Sequence, residues 1–279
     1  MESEGVGRWV PTSHNHHFPK SQLLSLPIPQ HLSVYSTPMP PVTLLAIAAH
    51  RDDVELTCGG TLARAASQGH RTGIIDLTRG EMGTRGSAEI REKEAARAAE
   101  ILGVSERVNM GFPDAGIFNT NDTRAALVRE IRKLQPAVVL APALSGRHPD
   151  HRITAELVRD ACFLAGLSKF APVAGVAAHR PRKVIHCLSY REDHVKPTFV
   201  VDVSEVFEKK MAAIQAFESQ FAGAVQAGEV FPTTESLFDV IRHHAAHYGS
   251  LIRARYGEPY LTFETMRVDD VTTLGVSTF

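Results

Sequence analysis

Two clusters of metal-ligating and proton-transferring side chains stand apart from the rest of the chain: Ala49-His50-Arg51-Asp52-Asp53-Val54-Glu55 and Arg147-His148-Pro149-Asp150-His151. His50 and Asp53 are three residues apart, a spacing that lets an imidazole and a carboxylate converge on one ion across a turn, and both are good zinc ligands. Asp52 is left beside them. Its reading as a helix N-cap, accepting from free N–H groups of a first turn, stands next to its reading as a general base. The second cluster adds two imidazoles and a carboxylate. Together the clusters supply a three-ligand site with an open position, as hydrolytic metal chemistry requires. A third group of histidines, His14, His16 and His17, lies in a polar tract and is read as incidental.

For the two clusters to meet, the elements before them must end at one edge of one sheet. From residue 42 onward, short apolar runs alternate with amphipathic stretches, the pattern of βα units around a parallel sheet. Strands are predicted over 42–49, 72–77, 108–112 and 137–142. Helices are predicted over 55–68, closing at Gly69, over 88–102, closing at Gly103, and over 123–134, ending before Pro136. Further on, a helix is expected over 153–164, strands over 183–189 and 199–203, and helices over 205–221 and 235–256. The predicted fold class is α/β: a Rossmann-like, doubly wound, mostly parallel sheet with a C-terminal extension of strands and helices. Ligands of such sheets bind outside the carboxyl ends of the strands, where both clusters would lie. Residues 1–41 are proline-rich and lack any sustained period, so they are read as an extension outside a single domain spanning 42–279.

Composition narrows the function. Hydrophobic residues make up 43% and charged residues 22% of the 279 residues, ordinary values for a globular enzyme. Thirty basic against 31 acidic side chains give a formal charge of -1, which draws the chain neither to nucleic acid nor to an anionic membrane. The three cysteines, Cys58, Cys162 and Cys187, form no metal-binding or disulfide pattern, and with no signal-like or membrane-spanning segment they point to a cytoplasmic location. A dinucleotide-binding turn is excluded, because His-Arg-Asp-Asp occupies the place of a G-x-G-x-x-G. No G-x-S-x-G elbow exists for serine hydrolase chemistry.

These motifs resemble those of the PIG-L/LmbE-type zinc deacetylases, A-H-[PA]-D-D-x-E and H-P-D-H. The likeness extends over roughly residues 42–260, and includes 76–86, Pro113-Asp114 and Glu218-Ser219-Gln220-Phe221. It is closest to the branch that deacetylates N-acetylglucosaminyl-malate in bacillithiol biosynthesis. The resemblance implies that His50, Asp53 and His151 hold Zn²⁺, that Asp52 is the general base, and that His148 with Asp150 forms a supporting pair near the oxyanion. It also implies a small amino-sugar conjugate as substrate and assembly into a homo-oligomer, a trimer or hexamer. The sequence departs from the family at Arg51, where proline is common, and at Leu237, where some relatives carry a tyrosine near the oxyanion.

Anion recognition must be local, since the net charge is near zero. Arg79 and Arg85, in the loop after the second strand, have the fork that binds a carboxylate, against the alternative of solvated surface arginines. Arg182 aligns with a substrate-binding arginine of relatives. The expected reaction is removal of the N-acetyl group of N-acetylglucosaminyl-malate. Two alternatives are deacetylation of another N-acetyl sugar or thiol-conjugate amide cleavage, and metal and sugar binding without turnover.

Overall fold

An apolar run covered on both faces belongs in the middle of a parallel sheet, and the Leu44–Ala48 run is buried that way. Leu45 and Ile47 enter one apolar cluster while Ala46 and Ala48 enter another on the opposite face. The computed structural model describes residues 40–172, 174–190, 195–222 and 235–276. Its sheet comprises β1 (Leu44–Ala48), β2 (Thr72–Thr78), β3 (Glu106–Phe112), β4 (Val138–Pro142), β5 (Lys183–Cys187), β6 (Phe199–Asp202) and β7 (Gly257–Leu261) in the order β3-β2-β1-β4-β5-β7-β6. The first five strands are parallel, and β7 pairs antiparallel with both β5 and β6.

Helices cover both faces. On one side α3 (Asn121–Leu134) and α4 (Pro149–Ala165) bury Leu127, Ile131, Leu157 and Val158 against Leu45, Ile47 and Val139. On the other, α1 (Asp53–Ser67), α2 (Ala88–Leu102), α5 (Phe207–Gln215) and α7 (Leu237–Leu251) meet around Ala63, Ala98, Phe207 and Ile241. Local signals set the boundaries. Ser87 accepts from the Ile90 N–H at the start of α2, Gly103 closes that helix at φ 74°, and a Thr120–Thr123 capping box starts α3. The doubly wound reading holds, and the described residues fall in one compact unit. No described helix is long and apolar enough to cross a membrane. The histidine tract and nearly all of the predicted extension lie outside the described residues.

The second half departs from expectation in three places. Phe217, at φ -85° and ψ 60°, breaks the expected 205–221 helix into α5 and the short α6 (Glu218–Phe221). The last long helix stops at Leu251, and β7, which was not expected, follows. Helix α4 begins at Pro149 rather than 153, because His148 caps it and proline suits a first helical position. The second histidine cluster is therefore the first turn of a helix.

Candidate metal centre and active site

Strand order reverses between β1 and β4, and a doubly wound sheet opens its ligand crevice at that point. Both clusters flank it: His50 to Asp53 follow β1 and lead into α1, while His148 to His151 follow β4 and lead into α4. Asp53 accepts from the His50 N–H at 2.9 Å, which folds the turn so that both side chains face the crevice. His50 Nδ1 stands 3.3 Å from Asp53 Oδ2, His151 Nε2 stands 3.1 Å from Asp53 Oδ1, and the two ring nitrogens are 3.3 Å apart. Donors about 2.0–2.1 Å from a tetrahedral ion lie about 3.3 Å from one another. The spacing thus suits a small divalent cation, with Asp53 turning one carboxylate oxygen toward each imidazole. An overlapping group, His50, His148 and Asp150, also has its donor atoms within 4.8 Å of one another. Ring centroids of His50, His148 and His151 lie 4.8–5.3 Å apart.

The surroundings of the far nitrogen of His50 favour the first group. Nε2 is 3.1 Å from Asp114 Oδ1 and 3.4 Å from Asp150 Oδ2, so two carboxylates favour a proton there and leave the Nδ1 lone pair for Asp53 and His151 to share through an ion. Those carboxylates are themselves anchored: Asp114 by the Met82 N–H at 2.9 Å, Asp150 by the Ala115 N–H at 2.8 Å. Burial alone would lower the His50 pKa, but Asp53, Asp114 and Asp150 hold it well above 6.5. Burial likewise opposes ionisation of Asp53, yet His151 and His50 keep it well below its usual value. Burial is outweighed at Asp114 too, where the hydrogen bond with His50 brings the pKa to about 2. Without metal the cluster therefore carries protons that a cation displaces on binding.

Asp52 occupies the N-cap position of α1 but makes no capping hydrogen bond. Its Oδ2 accepts from Arg91 Nη2 at 3.1 Å, and burial pushes the carboxyl up to about 7 against the opposing charge of Arg91. The expected His148–Asp150 pair takes a different form. His148 Nδ1 accepts from the backbone N–H of Asp150 at 3.2 Å, while the Asp150 carboxylate turns to His50 because the first turn of α4 aims it there. Burial, followed by the charges of His50 and His151, lowers the His148 pKa. Beside the cluster lies a cavity of about 130 Å³ whose walls include Asp53, Thr57, Arg147, His148, His151 and Tyr190.

The three arginines expected at the substrate fare differently. Arg79 is exposed at the carboxyl end of β2, on the same sheet edge as the cluster. Arg85 is half-buried and donates to the Ala222 carbonyl at 3.3 Å, tying the loop after β2 to the end of α6. Arg182 is not brought to the cluster. It precedes β5, whose first residue pairs with the first residue of β4, so it sits a strand length from the metal edge, roughly 16 Å at 3.3 Å per residue. There it lines a separate cavity of about 740 Å³ with Arg159, Arg180 and Lys183. Leu237 is buried in the apolar cluster under α7 and offers no hydroxyl to the site. Two site residues have no role assigned from the sequence. Asp114 carries a signal, since it follows β3 at the same sheet edge. So does Arg91, which falls on the buried stripe of α2 with Ala95, Ala98, Ala99 and Leu102.

Comparison with known proteins gives the family. Residues 45–162 match the PIG-L family, described as GlcNAc-PI de-N-acetylase. The chain is 33% identical to diacetylchitobiose deacetylase of Thermococcus kodakarensis over 77% of its own length and 80% of that protein. It is 30% identical to a probable N-acetyl-alpha-D-glucosaminyl L-malate deacetylase of Bacillus anthracis over 65% and 83%. Among solved structures, a conserved protein of Thermus thermophilus superposes with a TM-score of 0.73 at 37% identity, covering 82% of this chain and 98% of that one. The chain belongs to the PIG-L/LmbE deacetylase family.

Proposed function

We propose that this chain is a zinc-dependent N-deacetylase that cleaves the acetamido group of an N-acetylglucosamine unit to acetate and a free amine. The observation that carries the reading is the closed triangle of His50, Asp53 and His151 with a non-ligating carboxylate, Asp52, beside it. Bound in that triangle, zinc would supply a water of lowered pKa and polarise the amide carbonyl. Asp52 accepts the proton of the attacking water and returns it to the nitrogen as the C–N bond breaks. His148, with Nδ1 engaged by the Asp150 amide, presents Nε2–H to the oxygen that gains charge. Asp114 and Asp150 fix the His50 ring from behind. The cavity of about 130 Å³ lies below the roughly 300–1,000 Å³ of a usual ligand pocket, which supports enclosure of the acyl group with the sugar lying over the rim.

Within this class we place N-acetylglucosaminyl-malate first, with Arg79 at the metal edge, and Arg85 farther along the same loop, as carboxylate partners. Diacetylchitobiose is the second reading, favoured by the position of Arg182 away from the cluster and by the Thermococcus relative. A cytoplasmic location suits three unpaired thiols. The deciding experiment measures acetate release by the purified full chain from the malyl conjugate, diacetylchitobiose and a neutral methyl glycoside. The first is expected to give the highest kcat/KM. A higher value on diacetylchitobiose selects the second reading, and sugar binding without acetate release from any substrate refutes catalysis. Light scattering on the same sample is expected to give the mass of a trimer or hexamer, and the mass of one chain would refute assembly.

A further inference from the structure

The loop after β2, Arg79-Gly80-Glu81-Met82-Gly83, is glycine-spaced like an anion cradle, yet what its glycines admit is a side chain of this same protein. Arg91, on the first turn of α2 and 4% exposed, runs its guanidinium into the loop. Nη1 donates to the Gly80 carbonyl at 2.9 Å, and Nη2 donates to the Arg51 carbonyl at 3.4 Å and to Asp52 Oδ2 at 3.1 Å. Gly80 has φ +70°, and a Cβ there would collide with that guanidinium; a Cβ at Gly83 would come within 3.0 Å of Nη1. A buried fork therefore joins the β2–α2 loop, the entry to α1 and the carboxylate next to the metal cluster.

An aspartate at an N-cap position ordinarily folds its side chain onto the free N–H groups of its own helix. Asp52 does not: its backbone, at φ 161° and ψ -21°, departs from the usual cap conformation, and its Oδ2 accepts from Arg91 instead. We propose that Arg91 is a positioning residue for Asp52, keeping its carboxylate off the α1 terminus, and that Gly80 and Gly83 are there to admit the guanidinium. The proposal rests on Asp52 acting as the base. Arg91 itself touches no reacting atom.

The test uses the full chain loaded with zinc and an N-acetylglucosaminide substrate. Asp52→Asn is measured first: normal turnover or lost zinc ends the base assignment, and this proposal with it, before any Arg91 variant is made. Arg91→Ala is then expected to lower kcat about 10- to 100-fold, the usual effect of removing such a supporting partner, with KM and bound zinc unchanged. Added guanidinium ion should restore part of that loss and none of the Asp52→Asn loss. In the Asp52→Asn background Arg91→Ala should cost nothing further, because coupled residues are non-additive. Released zinc, a raised KM, no rescue, or the same further loss in the Asp52→Asn background would each overturn it. Should Arg91→Ala fail to fold, Arg91→Lys keeps the charge but cannot span both Gly80 and Asp52. It is expected to show a smaller loss confined to kcat, and full turnover would overturn the proposal. Gly80→Ala, which blocks the slot, should reproduce the Arg91→Ala phenotype.

Discussion

Neighbouring aspartates with the same chemistry are separated here by their partners. Asp53 lies between His50 and His151, whereas Asp52 turns to Arg91. Asp52→Asn is predicted to keep zinc bound while kcat falls about 10²- to 10⁴-fold, the usual contribution of a general base. Asp53→Asn should lose zinc on dialysis and recover part of its turnover when zinc is added in excess. Metal content and kcat of both variants decide the matter, and zinc loss from Asp52→Asn would reverse the two roles. The convergence of His50 with Asp53 was legible in the sequence because ligand type, spacing and position after a strand coincide, whereas His151 was singled out from His148 by the family resemblance alone. The Asp150 carboxylate was not, because which neighbour it meets depends on the direction in which the first turn of α4 aims it, and His50 wins over His148. Asp114 and Arg91 carry positional signals, at a strand end and on a buried helix stripe, but only packing shows that they meet His50 and Asp52.

Helix α1 carries the metal turn at its start, and its continuity is broken at Cys58, where φ is -137° and ψ 15°. The freed N–H groups beyond the break are taken by a residue of β7. Glu258 accepts from Gly60 N at 2.9 Å, from Thr61 N at 2.7 Å and from Thr61 Oγ1 at 2.6 Å, with Lys210 Nζ at 2.6 Å and Tyr260 Oη at 3.1 Å completing its shell. A Cβ at Gly60 would lie 2.9 Å from the Glu258 carboxylate, so glycine is required for this approach. Glu258→Gln leaves Lys210, 3% exposed, with an uncompensated charge, and is predicted to lower unfolding stability by about 3–5 kcal/mol. Denaturant titration measures it, and a change below about 1 kcal/mol would show that the pair is readily replaced. The same network explains why β7 was missed: a buried glutamate and Pro259 interrupt the apolar pattern by which strands β1 to β4 were read.

Across the whole molecule, the doubly wound order gathers the chemistry at one sheet edge and leaves Arg182 at the other. That placement was readable, because a residue just before a parallel strand enters at the amino-terminal edge, but alignment with relatives points the other way. The proline-rich residues 1–39 precede the first strand, and we propose that they lie outside the chemistry. The proposed reaction requires one metal ion per chain in the His50-Asp53-His151 triangle. Zinc titrated into metal-free protein, with acetate release from an N-acetylglucosaminide followed at each step, tests that directly. Turnover is expected to be absent without metal and to rise linearly until it saturates at about one zinc per chain, with or without residues 1–39. Turnover that persists without metal, or bound zinc that brings no acetate release, would contradict it.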